Sequence, residues 1–301
     1  MLIPLFLSCS NNKIEVSSSH EEMMIQQIAK NLVEAEVNDN LNALIEYYDV
    51  HALSMPEYQL MLDGLDEIKL YYTEILKRQN IKSYVHVADE FIHLNKTIVE
   101  IGTFKKEYYN DSNPDSLITL KGKYWNIWEA GQNSSFKLVS EAFGYFNPVS
   151  HPEALTVRMS KKQPDESEIL LHKEIPFELK AYNALMEKGV RNRDGILRSS
   201  FFTHDARFFP FAEPTLKGIE NIKPYLIGYS SRGQVTIDSI MCYTYDFKYA
   251  DNYVLEYDMF KVKWNNANGS GKTEGKGIRI WHRQEDNSLR LFREIGTHNL
   301  F

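Results

Sequence analysis

The pattern of hydrophobic and polar residues predicts helices followed by strands in the first part of the chain. Ser19 and Glu22 form a capping-box pattern at the start of a helix, and Asn40 can cap a second, short one. Apolar positions recur at helical spacing in this first helix and in a third, at Ile25, Ile28, Leu32 and Ala35 and at Leu65, Ile68, Tyr72 and Ile75. The period then changes to two, which predicts strands over 84–93, 97–109, 117–129 and 136–143.

The same order of elements returns in the second part of the chain. Phe177, Ala181 and Leu185 predict the buried face of a helix that Gly189 is placed to end. Because Pro224 lacks a backbone donor, we expect the third helix of this part to be kinked or shortened. Strands are predicted over 235–249, 252–264, 275–283 and 289–297.

A tandem duplication accounts for this repetition. The segment "LDGLDEIKLYY" begins at Leu62 and "LKGIENIKPYL" at Leu216, an offset of 154 residues (216 − 62), with five of eleven positions identical. Further matches follow in the same order at offsets of 153 to 156, at Phe104/Phe260, Trp128/Trp281 and Glu141/Glu294. The sequence therefore predicts two domains, 20–147 and 175–301, joined by a linker at 148–174.

Composition excludes several classes of function. The 301 residues suffice for two domains, and no stretch is long and apolar enough for a membrane span. The net charge is −7 and the basic residues are scattered, so no nucleic-acid partner is expected. His86 and His93 have opposite parity on a predicted strand, so they face different sides of the sheet and are not expected to bind one metal ion. In the absence of clustered zinc ligands or a glycine-rich phosphate loop, we expect no metal and no cofactor.

The N-terminal residues "MLIPLFLSCSNNK" predict where the protein is located relative to the cell membrane. A short apolar run followed by Leu7, Ser8 and Cys9 resembles a bacterial lipoprotein signal, in which the cysteine carries the lipid. The apolar run is short and no Lys or Arg precedes it, so we expect the natural start to lie upstream. Residues 1–9 are thus interpreted as a truncated signal and 10–19 as a polar tether. The expected location is extracytoplasmic, on a bacterial membrane or at the cell surface.

The residues shared by the two copies resemble a known superfamily. Two aromatic residues, then "DVHALSMP" or "HDARFFP", then "GxxxIKxY", and later "KGKYWNIW" or "EGKGIRIW" are similar to nuclear transport factor 2-like proteins of the SnoaL-like branch. Helices followed by antiparallel strands are an α+β plan. The resemblance implies two cone-shaped domains, each with about three helices on a strongly curved antiparallel sheet around a pocket. It also implies that the two copies can pair as an internal pseudo-dimer.

The ketosteroid-isomerase chemistry of this superfamily is not expected here. That reaction needs a carboxylate base just before the proline of the first strand, but Met55 and Phe209 stand there. The hydrogen-bonding acid would fall near Tyr124 and Gly277, which carry no carboxyl group. No acid–base set of that reaction is therefore present in either copy.

Other residues remain candidates for a site. His204 and Asp205 could act as general acid and base, or simply point outward from a turn. Asp258 and Arg279 face the predicted second pocket, or form a structural cross-strand salt bridge. The remaining pocket candidates are aromatic, namely Tyr48, Tyr84, Trp128, Phe202, Tyr245 and Trp281, and the two tryptophans can equally be core. Three repeated pairs are interpreted as charge pairs of the fold, namely Glu100/Glu256, Lys123/Lys276 and Glu141/Glu294.

The sequence favours a non-catalytic function. We expect a lipid-anchored protein that binds a small apolar or aromatic ligand, or a protein partner, through these pockets. The alternative is a lyase, isomerase or cyclase that uses His204 and Asp205 in the second domain.

Overall fold

The computed structural model of the chain describes residues 19–110, 113–131, 135–160 and 163–300. Cys9 and the signal and tether assigned around it lie outside the described residues. Two α+β units follow one another along the chain, as the sequence predicts. They are called the first half and the second half below.

The first half contains three helices and six strands. The helices are α1 (His20–Val37), α2 (Leu41–Ile45) and α3 (Leu65–Leu76). The strands are β1 (Tyr48–Pro56), β2 (Leu62–Asp63), β3 (Gln79–Leu94), β4 (Thr97–Asn110), β5 (Asn113–Ala130) and β6 (Phe136–Tyr145). The expected capping box forms, because Ser19 Oγ accepts from the backbone N–H of Glu22 and the Glu22 carboxylate accepts in return.

A connecting segment and the second half follow. The connection holds a short 3₁₀ turn at Pro152–Leu155 and helix α4 (Glu166–Leu170). The helices of the second half are α5 (Phe177–Arg191), α6 (Gly195–Ser199) and α7 (Ile219–Ser231). Its strands are β7 (Phe202–Phe209), β8 (Leu216–Lys217), β9 (Thr236–Ala250), β10 (Tyr253–Asn266), β11 (Gly269–Arg283) and β12 (Leu289–His298).

The two sheets have the same topology. Their strand orders are β2-β1-β6-β5-β4-β3 and β8-β7-β12-β11-β10-β9. In each sheet one pair is parallel, β1 with β6 and β7 with β12, and the other pairs are antiparallel. Equivalent β-bulges also recur, at Asp89 and Tyr245 and at Val139 and Phe292. Because a bulge re-aims the side chains around it, the shared bulges show that the copies match in detail.

Three expectations for the second half need correction. Helix α5 buries Leu179, Asn183, Met186 and Gly189, whereas Phe177 is 84% exposed and Leu185 38% exposed. The apolar pattern was misleading because this buried face includes a polar residue and a glycine. Gly189 does not end the helix, which continues to Arg191. Pro224 lies inside α7, but that helix spans 13 residues against 12 in α3 and is not shortened.

The halves pack against each other through equivalent residues. Lys123 Nζ donates to the carbonyls of Pro210 and Glu213 in the second half, the latter at 2.7 Å. Lys276 Nζ donates to the carbonyls of Pro56, at 2.7 Å, and Gln59 in the first half. These repeated lysines are therefore not partners of the repeated glutamates. They form a reciprocal clamp that has the symmetry of a dimer interface within one chain.

Apolar and ionic contacts surround this clamp. The ring of Trp125 meets that of Phe209 edge-on at 5.3 Å between centroids, joining the core of the first half to the second. Glu90 of β3 accepts from Arg207 Nη1 at 2.8 Å and from Arg293 Nε at 3.0 Å. The arginines lower the pKa of Glu90 by hydrogen bonding and charge, against the effect of its burial. The interface of the internal pseudo-dimer thus combines buried apolar contacts with ion pairs and hydrogen bonds.

Candidate functional site

The interiors of the two halves differ in how much space they leave. The interior of the first half holds a cavity of about 50 Å³, whereas that of the second holds about 510 Å³. The larger cavity falls within the range of small-molecule sites, and the smaller is far below it. Of these two equivalent cavities, that of the second half therefore has room for a ligand of appreciable size and that of the first does not.

Substitutions at equivalent positions explain this difference. Tyr84 on β3 corresponds to Ile240 on β9, and both line their respective cavities. Across the next two strands, Gly102 faces Tyr124 in the first half, whereas Asp258 faces Gly277 in the second. The Tyr124 ring lies against Gly102, so closely that a Cβ there would meet it at 2.7 Å. The first half is thus filled by tyrosine rings that the second lacks.

The inner end of the large cavity carries a charged cluster. Arg279 on β11 lies with its Nη2 2.9 Å from Asp258 Oδ2 and its Nε 3.1 Å from Glu294 Oε1. A third carboxylate, that of Glu256, lies 3.6 Å from Nη1 of the same guanidinium. Asn183 Oδ1 accepts from Nη1 at 3.0 Å. One arginine is thus surrounded by three carboxylates, of which Asp258 and Glu294 line the cavity.

Burial raises the pKa of Asp258 from 3.8 to about 7. Arg279 opposes this shift, while the neighbouring Glu256 and Glu294 add to it because a third negative charge is disfavoured there. The carboxyl group of Asp258 therefore keeps its proton to a higher pH than an ordinary aspartate does, although Arg279 lies beside it. Such a group can donate or accept a hydrogen bond from a ligand, or exchange a proton with it.

Glu256 is held by neutral donors as well as by Arg279. It accepts from Thr244 Oγ1 at 2.5 Å, from the Trp281 indole N–H at 2.7 Å and from Asn183 Nδ2 at 3.4 Å. In the first half the Trp128 indole donates in the same way to Glu100, at 3.0 Å. The repeated glutamates and tryptophans are thus hydrogen-bond pairs of the fold, as the core interpretation of the tryptophans expects.

The structure brings together only some of the residues proposed from sequence. Asp258 and Arg279 meet and line the large cavity, while Tyr48 and Tyr84 line the small one. Four proposed pocket residues line neither cavity, namely Trp128, Phe202, Tyr245 and Trp281. Phe202 and the tryptophans are buried core. Tyr245 instead donates to Asp63 Oδ2 of the first half at 2.9 Å, because the bulge in β9 turns it toward the interface.

The proposed catalytic pair is displaced from the cavity. His204 and Asp205 are both exposed on β7 and are absent from the lining of either cavity. The Asp205 carbonyl accepts from Arg293 Nη1 at 3.0 Å, a backbone contact that leaves its carboxylate outside. The outward-facing interpretation therefore holds for these two residues.

Sequence reasoning missed Asn183, Glu294 as a cavity residue, and the arginines at the cavity entrance. Asn183 was missed because a polar residue was not expected on the buried face of α5. Glu294 was set aside because Glu141 repeats it. A position-by-position comparison of the copies would have marked Ile240 and Gly277, where large side chains become small.

Comparisons with known proteins concern the fold alone. No protein-family model matches the chain, and neither does any curated protein. A ketosteroid isomerase-like protein from Erwinia carotovora atroseptica is similar over 44% of this chain and 100% of its own, with 12% identity and a TM-score of 0.40. A nuclear transport factor 2-like protein from Salmonella enterica is similar over 42% and 90%, with 9% identity and a TM-score of 0.38.

A third likeness is of the same kind. A nuclear transport factor 2-like protein from Cytophaga hutchinsonii is similar over 43% of this chain and 100% of its own, with 12% identity and a TM-score of 0.35. Each of these proteins matches a segment about the length of one half. Two of the three carry the name of the superfamily that the sequence resembles, and nothing about a ligand or an activity follows from them.

Proposed function

We propose that the second half binds one small, largely apolar or aromatic molecule and that the first half supports it structurally. The observation that carries this proposal is the contrast between a cavity of about 510 Å³ and an equivalent one of about 50 Å³. Aliphatic and aromatic side chains form most of its walls, among them Phe208, Leu226, Ile237, Ile240, Phe260 and Val262. The charged cluster at its inner end supplies the few polar groups that orient a ligand.

A cavity-filling substitution tests the binding function. Ile240→Tyr introduces the side chain that Tyr84 provides at the equivalent position of the first half. Met241→Tyr is the matched control, since Met241 is the next residue of β9 and 40% exposed. With 1-anilinonaphthalene-8-sulfonate as a fluorescent probe, we expect saturable binding by the unaltered protein and the control, and at least a tenfold loss in Ile240→Tyr. Equal binding by both variants would reject the cavity as the site.

A second candidate function is proton transfer in the same cavity. It is favoured by the buried carboxyl group of Asp258, whose pKa near 7 suits a general acid or base. In this second candidate function the general acid or base is therefore Asp258 rather than His204 and Asp205. Turnover of a ketone or hydroxy-ketone substrate that Asp258→Asn abolishes and His204→Ala does not would support this function. Turnover that survives Asp258→Asn would refute it.

We further propose that the chain is anchored outside the cytoplasm by a lipid on Cys9. The supporting observation is the sequence around this cysteine. In the part of the chain that the structure describes, no helix has the length and apolarity to cross a bilayer. Incorporation of labelled palmitate during expression in a bacterium, lost in Cys9→Ser, tests the proposal. Equal labelling of the variant would contradict it.

A further inference from the structure

Arg198 is a guanidinium inside the large cavity without an acidic partner. It lies on α6 and lines the cavity, and no described carboxylate comes within 4 Å of it. Its Nε is buried and has no hydrogen-bond partner. An unpaired N–H of a charged group is costly to bury. Arg198 makes no side-chain hydrogen bond or ion pair with the described protein, so its guanidinium is available to a ligand that enters the cavity.

The backbone of α5 makes room for this arginine. A Cβ at Gly189 would lie 2.8 Å from Arg198 Cγ, so any larger residue would push the side chain away. This accounts for the buried glycine in the last turn of α5. The local structure thus leaves room for the Arg198 side chain.

Two further arginines line the same cavity near its entrance. Arg232 stacks against Tyr225 and Tyr229, each at 5.6 Å from its ring centroid, and pairs with Glu213 at 3.3 Å. Arg193 donates only to a backbone carbonyl, that of Arg232, and no described carboxylate lies within 4 Å of it. The entrance side of the cavity is therefore positively charged.

The first half has no counterpart of this arrangement. At the residues equivalent to Arg198 and Arg193, with an offset of 154 (198 − 44 and 193 − 39), it carries Leu44 and Asp39. The backbone is the same at the second pair, since Asp39 has φ of 51° and Arg193 of 53°. Lys106 lines the first-half cavity, but it is paired with Glu36 at 2.6 Å. Cations without an acidic partner are thus found in the open cavity at Arg198 and Arg193, which a purely structural role does not explain.

The inner cluster does not offer an alternative site for an anion. The guanidinium of Arg279 already faces three carboxylates and Asn183. Asp258 and Glu294 would repel a second negative charge placed beside them. Lys276 also lines the cavity, but its ammonium already donates to the carbonyls of Pro56 and Gln59 and to Asn299 Oδ1. An anionic group would therefore be stabilised near Arg198, and the apolar walls would take the rest of the molecule.

We propose that the second-half cavity binds an amphipathic organic acid whose carboxylate pairs with Arg198. This inference rests on the proposed binding function and specifies its ligand class. Arg198 supplies a charge-assisted hydrogen bond, Arg193 adds long-range attraction at the entrance, and the apolar body packs toward Phe208 and Leu226. Fatty acids and aromatic acids share this chemistry.

Matched acid and alcohol probes test the proposal by calorimetry at pH 7.5. Decanoate with decanol represents the chain-like source, and 2-naphthoate with 2-naphthalenemethanol the aromatic one. We expect at least one acid to bind about tenfold or more tightly than its alcohol, since hydrogen bonds to charged groups are worth that much. The pair of probes that shows this preference indicates whether the ligand is a chain-like or an aromatic acid.

Variants of Arg198 then test whether this residue causes the preference for the acid over the alcohol. Arg198→Leu introduces the residue of the first half and should abolish the preference for the acid while the alcohol still binds. Arg198→Lys should retain part of it. Arg191→Leu is the control, because Arg191 is exposed on α5 and its nearest acidic partner is Glu187 at 3.9 Å.

The outcomes separate the two proposals. Equal affinity for acid and alcohol, or a preference that survives Arg198→Leu, would overturn the inference and leave the binding function intact. Failure of all four probes to bind would count against the binding function itself. If Arg198→Leu does not fold, as judged by circular dichroism, loss of the preference in Arg198→Gln supports the inference, and its persistence there overturns it.

Discussion

Asp258 Oδ2 lies 2.9 Å from Nη2 of Arg279, and the equivalent positions of the first half hold Gly102 and Asn126. In that half Asn126 donates to Glu100 at 3.2 Å, so a neutral amide stands where the second half has a cation. The ion pair is therefore absent from the filled half and present in the open one. This association supports a role of the pair in the cavity rather than in the fold common to both halves.

Removal of Arg279 should destabilise the protein strongly. Arg279→Met leaves three carboxylates buried without their cation, and we expect the free energy of unfolding to fall by about 3–5 kcal/mol. Arg283→Met on the same strand is the control, since its ion pair with Glu178 is partly exposed and worth at most about 1 kcal/mol. Urea unfolding followed by tryptophan fluorescence measures both. Similar losses in the two variants would contradict the buried cluster.

The stability contributed by Asp258 should decrease as the pH rises. Its pKa in the folded protein is raised from 3.8 to about 7, so the folded state holds more protons than the unfolded state between these values. The contribution is complete below about pH 4 and is lost toward pH 7, with a slope of at most about 1.4 kcal/mol per pH unit. The unfolding free energy of the unaltered protein minus that of Asp258→Asn should therefore fall as the pH rises through this window. A signed difference that rises instead would contradict the raised pKa.

Opening the first half should create a second binding cavity. Tyr124→Ala removes the ring that lies on Gly102 and its hydrogen bond to Glu100, at 2.8 Å. We expect a loss of about 3–5 kcal/mol, typical of large aromatic residues reduced to alanine. Titration with 1-anilinonaphthalene-8-sulfonate should reveal a second site in this variant. Unchanged stoichiometry in a folded variant would show that other side chains close the space.

The reciprocal lysine clamp should hold the halves together. Lys123→Met and Lys276→Met each leave carbonyl groups of the other half without their donor, which we expect to cost about 2–4 kcal/mol. Lys121→Met is the control, because Lys121 is exposed on the same strand as Lys123. The environment of Trp125, at the interface with Phe209, reports separation of the halves as a red shift in fluorescence. No shift and no loss of stability would refute the clamp.

Most of the fold could be predicted because each element repeats a simple period. The strand predicted over 97–109 is observed as Thr97–Asn110, and the one over 252–264 as Tyr253–Asn266. Because the chain is duplicated, most elements could be predicted twice, once from each copy. Helix α5 was an exception, since its buried face is set by contacts with β9 and β10 rather than by hydrophobicity.

The site could be predicted only where the chemistry was local. Asp258 and Arg279 were found because they lie on neighbouring predicted strands and can meet on one face of the sheet. Arg198 was not, because its significance depends on a glycine nine residues earlier and on the absence of any acid nearby. The aromatic residues were misassigned because burial, not sequence, decides whether a ring lines a cavity or fills the core.

The tyrosine-filled first half determines how the protein would respond to ligand concentration. A symmetric pair of open cones would offer two equivalent sites that can influence each other across the shared interface. Here one of them is occupied permanently by the protein's own side chains. Each chain should then saturate at one molecule along a simple hyperbola with a Hill coefficient of about 1. If the proposed binding function is correct, the duplicated fold therefore offers one independent site per chain rather than two coupled ones.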